Sequence, residues 1–183
     1  MPTHSPEKVL SFWFTELTPA DWFAKNDTLD QRIQDQFGAC HHAVSQGEAW
    51  TWRKSPEGRL AEIIVLDQFS RNIYRDRTAA FSWDGMALVL AQEAIARKDD
   101  QSLTEPAQRA FMYMPYMHSE SLAIHEQAVH LFDQPGLENN LKFEYAHKAI
   151  IERFGRYPHR NAVLGRTSSA EEIAFLQEPG SSF

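Results

Sequence analysis

Apolar residues along the chain recur at the three- and four-residue steps of a helix, and no segment shows the strict alternation of a half-buried strand. The most telling stretch is Leu60–Arg75, LAEIIVLDQFSRNIYR. Wound at about 100° per residue, it is apolar nearly all round. Leu60, Ile63, Ile64 and Tyr74 share one side, and Val65, Leu66, Phe69 and Ile73 cover the other. A helix apolar on every side belongs in the interior. Asp67 and Arg71 nevertheless fall in the middle of the first side, four apart with the acid first, the order that lets the two side chains meet. A buried charged pair is costly unless further hydrogen bonds complete it. The pair therefore marks a polar centre.

Caps and breakers set the remaining elements. Ser5-Pro6-Glu7 announces a first helix carrying Val9, Leu10, Phe12, Trp13, Phe14 and Leu17, which Thr18-Pro19 should stop. Trp22-Phe23 then read as a plug on the core. A second helix starts at Asp27, carries Leu29, Ile33, Phe37, Cys40 and Val44 as one stripe, and ends at Gly47. Ser55-Pro56-Glu57 launches the central helix. A fourth helix is expected from near Ser82 to Arg97, followed by a solvated loop at Lys98–Gln101. A fifth opens at Thr104-Glu105-Pro106, and Pro115 should end or kink it. Ser119 is placed to cap a sixth, and a seventh runs from about Asn140 to Phe154, with Phe143, Ile150 and Phe154 on one side and His147 between them. Ser168 to Glu171 reads as a capping box for a short last helix, and Glu178–Phe183 as a loose tail. The expectation is one all-α domain spanning 1–183, its core at about 6–176, with helices joined by short turns.

Composition narrows the function classes. The 183 residues include five Trp and twelve Phe, enough for one well-buried domain, and the net charge of −7 argues against a duplex nucleic-acid binder or adhesion to an anionic membrane. The N-terminus MPTHSPEKVL lacks a basic region followed by an apolar core, and no apolar run has the length of a membrane span. Cys40 is the single cysteine, so no disulfide can form within the chain, and cytoplasm is the expected compartment.

Four strings occur in a fixed order: Phe12-Trp13-Phe14, Leu66 through Asn72 (LDQFSRN), Pro115 through Glu120, and Phe154 through Asn161 (FGRYPHRN) with Leu164-Gly165-Arg166. On these the chain resembles the bacterial family designated domain of unknown function 924, from about Pro6 to Leu176. The resemblance implies a tetratricopeptide-like array of antiparallel helices, although no tetratricopeptide signature stands in the residues. It carries no established activity and hence no catalytic residues.

The strongest functional candidate is a basic and imidazole cluster. Arg153, Arg156, His159, Arg160 and Arg166 lie within fourteen positions of an otherwise acidic chain. Arginine grips carboxylate or phosphate through two parallel bonds. With Arg71 and Arg109 these residues could surround an anion; equally, they could tie loop carbonyls and helix ends to Asp67, Glu120 and Glu144. His118 and Glu120 are suited to acid–base work beside a helix start, whereas Ser119 is better read as an N-cap. Asp67, His118, Glu120 and His159 are metal-ligand types without metal-ligand spacing, so no metal or other cofactor is expected. His41, His42, His125 and His130 read as surface positions, and Cys40 as a small core residue.

The working expectation is a pocket for a small anionic molecule or a peptide end. Its candidates are Asp67, Arg71, Arg109, His118, Glu120, Arg156, His159, Arg160 and Arg166. The alternatives are an acid–base or hydrolytic enzyme using His118, Glu120 and His159, and a protein-binding scaffold. The first needs the distant charged strings to converge on one cavity.

Overall fold

The computed structural model describes residues 1–182; Phe183, the end of the expected tail, lies outside them. The described residues are helical with no strand: α1 (Pro6–Ser11), α2 (Pro19–Trp22), α3 (Asp27–Ser45), α4 (Pro56–Ile64), α5 (Ser70–Ile73), α6 (Asp84–Ala96), α7 (Pro106–Met117), α8 (Leu122–Phe132), α9 (Glu138–Phe154) and α10 (Ala170–Phe175). None is long and apolar enough to cross a membrane.

The central helix forms where the all-round apolar stretch requires. Ser55 accepts the Gly58 N–H and Pro56 starts the first turn, as a capped helix should. Between α4 and α5 the chain makes a π-helical turn, Val65–Phe69, every residue of which is buried. A π turn inserts one extra residue and rotates the helical segment after it relative to the one before; such turns are frequent at functional sites. A second π turn, Phe12–Glu16, extends α1. The two meet through their aromatics: the Phe69 ring lies 6.0 Å from Phe12 and 5.7 Å from Trp13. Around them α1, α6 and α7 pack on α4, and α3 packs on α5. In the C-terminal part, Ile150, Ile151, Tyr157 and Phe175 gather a smaller cluster under the loop after α9.

Several local expectations change. Pro19 does not merely stop the first helix; it opens α2, closed by a reciprocal Thr18–Asp21 capping box. Pro115 does not end α7 at once: it lies in the last turn, where its missing N–H leaves the Phe111 carbonyl without its helical bond, and the helix still reaches Met117. The N-cap position of α8 is held by Ser121, not Ser119, without a side-chain capping bond, and the final capping box is Ser169–Glu172, one residue later than the pattern suggested. The stretch 98–101 is not a solvated loop, because Asp100 is buried and accepts the Tyr113 hydroxyl at 2.7 Å. Phe143 faces outward while His147 turns inward. His41 and His125 are wholly buried rather than on the surface; only His42 and His130 are exposed. The tail folds back in part, for the Ser181 hydroxyl donates to the Leu176 carbonyl at 3.2 Å.

Backbone approach explains one glycine. A Cβ at Gly58 would lie 1.9 Å from the Trp52 carbonyl oxygen, where α4 starts against the preceding turn. Gly58→Ala should therefore lose about 1–3 kcal/mol of stability in urea unfolding, the usual cost of overpacking. Gly85, in the first turn of α6 with nothing within 4 Å of a Cβ, provides the control. Gly85→Ala should be neutral or gain about 0.5–1 kcal/mol.

Candidate functional site

The Asp67 carboxylate is the centre of the polar arrangement. It is wholly buried in the π turn, and three neighbours complete it. Its Oδ1 receives the Arg71 Nη1 at 3.1 Å and the His118 Nδ1 at 2.7 Å, and its Oδ2 receives the Gln68 amide at 2.6 Å. Burial opposes ionisation of Asp67, but Arg71 and His118, with the His118 and Gln68 hydrogen bonds, outweigh it and hold the carboxyl far below its usual range. The two side chains thus meet as their i, i+4 spacing suggested.

Arg71 does more than meet Asp67. Its Nη1 and Nη2 grip Asp84, at the start of α6, through two parallel bonds of 2.9 Å each. Its Nη1 also donates to the Asp67 carbonyl at 2.7 Å. Asp84 was missed at the sequence level; it stands in the first turn of a helix, a position acidic residues occupy for dipole reasons alone. Arg160 reaches the same carboxylate more loosely, Nη1 to Oδ2 at 3.4 Å, and donates Nη2 to the His118 carbonyl at 3.0 Å. Its guanidinium lies 4.6 Å from the centre of the Phe81 ring and 4.7 Å from that of Tyr157, stacked between two aromatics.

Asp84, Arg160, Phe81, His118 and Glu120 border a pocket of about 340 Å³. Asp84 and Phe81 come from α6 and the turn before it, His118 and Glu120 from the end of α7 and the turn beyond it, and Arg160 from the loop after α9. The volume is that of a small-ligand site. Desolvation, then the adjacent Arg71, lowers the His118 pKa against the pull of Asp67, so the ring is neutral at pH 7. A carboxylate has no proton to give, so Nδ1 carries the hydrogen and Nε2 keeps its lone pair.

The other candidates serve as ties. Arg166 grips Glu120 through bonds of 2.6 and 2.8 Å and also donates to the Tyr157 carbonyl. Glu120 in turn accepts the Tyr157 N–H at 2.7 Å, so its carboxylate is committed to anchoring the loop. Arg156 pairs with Glu172 at 2.7 and 2.8 Å, outside the pocket. Arg109 also lies outside it, holding the Leu103 carbonyl and Gln134 at 2.9 and 3.0 Å. His159 packs on Tyr157, with ring centroids 5.5 Å apart, and does not line the pocket. Thus Asp67, Arg71, His118, Glu120, Arg160 and Arg166 come together, while Arg109 and Arg156 do not. Among the described residues no group of three or more His, Cys, Asp and Glu side chains is arranged to hold a metal ion.

Fold and site together describe an all-helical protein with a small pocket, partly apolar and bordered by charged side chains, at the junction of α6, α7 and the loop after α9. The family model for bacterial proteins of unknown function DUF924 matches residues 9–180, and the chain belongs to that family. The solved structure of the protein of unknown function ATU0120 from Agrobacterium tumefaciens is similar at 34% identity and a TM-score of 0.89, over 94% of this chain and 96% of that one. No curated protein matches.

Buried neutral histidines make stability depend on pH. Burial pushes His147 down to about 3; burial and then the neighbouring Arg160 push His159 down to about 4. An unfolded histidine titrates near pH 6.5. As pH falls from about 6.5 towards 4, the unfolded chain takes up protons that the folded one refuses, so stability is present above that window and lost within it. Each such histidine contributes a slope of roughly 1.4 kcal/mol per pH unit there. Urea unfolding from pH 7 to 4.5 should show this decline, and His159→Gln should remove close to one proton from its slope.

Proposed function

We propose that the pocket binds a small molecule through an anionic group, a carboxylate or a phosphate, received by Arg160. The observation that carries the reading is the state of that guanidinium. Its side chain is 8% exposed, and its Nε–H is buried with no hydrogen-bond partner among the described residues. Its one carboxylate contact is the long one to Asp84. Burial first, and the adjacent Arg71 second, push its pKa below the usual arginine value. A cation whose surroundings disfavour its charge, and which has donors to spare, is relieved by an anion that supplies acceptors.

The rest of the wall suits a small guest better than a peptide segment. Phe81, Leu88, Pro115 and Leu164 provide apolar surface, and His118 offers a directional hydrogen bond. The overall charge of −7 keeps nucleic acid and anionic membranes outside this reading. A cytoplasmic setting belongs to it too, since the single cysteine, Cys40, is buried and free and no disulfide can form within the chain.

Calorimetric titration with inorganic phosphate, acetate and 4-hydroxybenzoate tests the proposal. At least one should bind with saturable single-site heat. Arg160→Gln should weaken it at least about tenfold, the equivalent of one lost charge-assisted bond. Arg109→Gln, outside the pocket, should leave it unchanged. Absence of saturable heat from all three, or equal binding by wild type and Arg160→Gln, rejects the assignment.

A further inference from the structure

Two histidine–carboxylate pairs lie close together in this protein, and they are built differently. In the first, His125 Nδ1 meets Glu144 Oε1 at 2.6 Å, with both side chains wholly buried. The second nitrogen of His125 is also committed, to the Ser119 carbonyl at 2.8 Å and the Tyr157 hydroxyl at 3.2 Å. That ring has nothing left to offer and joins α8 to α9.

The second pair, Asp67–His118, leaves one ring nitrogen available. The carboxylate is sealed in the π turn, locked by Gln68 and Arg71, while the imidazole borders the pocket with 16% of its side chain exposed. Its Nδ1 is taken by Asp67 and no protein hydrogen bond engages Nε2 among the described residues. A carboxylate that fixes the ring and its tautomer, with the basic nitrogen facing a cavity, is what general-base catalysis requires. The pocket serines do not act as its nucleophile. The Ser119 hydroxyl oxygen receives the Ser121 N–H, the Ser82 hydroxyl turns to the Thr78 carbonyl, and neither bonds His118. Water is then the group to be activated.

We propose that His118, oriented by Asp67, is the general base of a hydrolase acting on small carboxylic esters that carry a second, anionic group. The anionic group sits on Arg160, so this part rests on the binding reading above. His118 Nε2 removes a proton from water as the water oxygen bonds to the ester carbonyl carbon. The tetrahedral intermediate collapses with cleavage of the carbon–oxygen bond to the alcohol. Nε2–H returns its proton to the departing alkoxide, giving one carboxylic acid and one alcohol and restoring the neutral ring. Asp67 stays ionised throughout, and is a positioning residue rather than a catalytic one.

The probe is 4-acetoxybenzoate, a small aryl ester with a carboxylate too distant to assist its own hydrolysis, with uncharged phenyl acetate beside it. Wild type should hydrolyse it, and His118→Ala should lower kcat about 10²–10⁴-fold, the usual share of a general base. Added imidazole should restore turnover in His118→Ala saturably, above its own background, which a structural role for the ring would not produce. Asp67→Asn should lower kcat with little change in KM; if that variant unfolds by circular dichroism, the imidazole rescue decides. Arg160→Gln should raise KM for 4-acetoxybenzoate and leave that for phenyl acetate alone. Wild-type turnover no faster than His118→Ala, or no saturable rescue, overturns the base assignment even if calorimetry shows binding. Turnover that depends on His118 but not on Arg160 keeps the base and removes the anion grip.

Discussion

The structure turns on one buried carboxylate. Asp67 stands in a helix rich in apolar residues, and its charge is tolerable only because Arg71, Gln68 and His118 surround it. Leaving a buried charge without its partner typically costs about 3–5 kcal/mol. The partners come from different elements: Arg71 and Gln68 from the helix itself, His118 from the end of α7. Satisfying the charge therefore brings segments far apart in the chain together. Arg71 passes the constraint on to Asp84, which docks the start of α6, and Asp84 in turn meets Arg160 from the loop after α9. A pocket opens where those three elements meet.

A second tier of ion pairs holds the outer wall. Glu120, between α7 and α8, is gripped by Arg166 and accepts the Tyr157 N–H, so the loop after α9 is pinned from both ends of its turn. Arg156–Glu172 fastens the same loop to α10, and the Tyr157 hydroxyl donates to the Met117 carbonyl at 2.6 Å. This division of labour separates structural from available groups. Arg156 and Arg166 are spent on carboxylates at close range, whereas Arg160 is buried, loosely paired and short of acceptors.

Much of this was readable from local pattern. The apolar steps located the helices, because burial of one face imposes a period on the chain. The Asp67–Arg71 spacing on an apolar helix located the polar centre, because charges are rarely left inside without a purpose. The misreadings share a cause. His41 and His125 look polar in sequence, but Ser70 and Glu144, 29 and 19 residues away, supply the bonds that let them be buried. Asp84 looks like an ordinary first-turn acid, yet it receives Arg71 from 13 residues earlier and Arg160 from 76 residues later. Arg109 looks like a member of the arginine cluster, but its acceptors are the Leu103 and Thr104 carbonyls just upstream of α7 and the Gln134 side chain.

The chain by itself determined that the protein is built of helices, where most of them begin and end, and that one of them carries a charged pair into the interior. Caps, breakers and apolar period act over a few residues, and so they can be read without coordinates. Only the tertiary structure decided which arginines are consumed and which keeps unpaired donors, and that His118 borders a cavity while His125 is sealed. Those outcomes depend on which distant side chain arrives within about 3 Å, the reach of a hydrogen bond. No spacing along the chain encodes that distance.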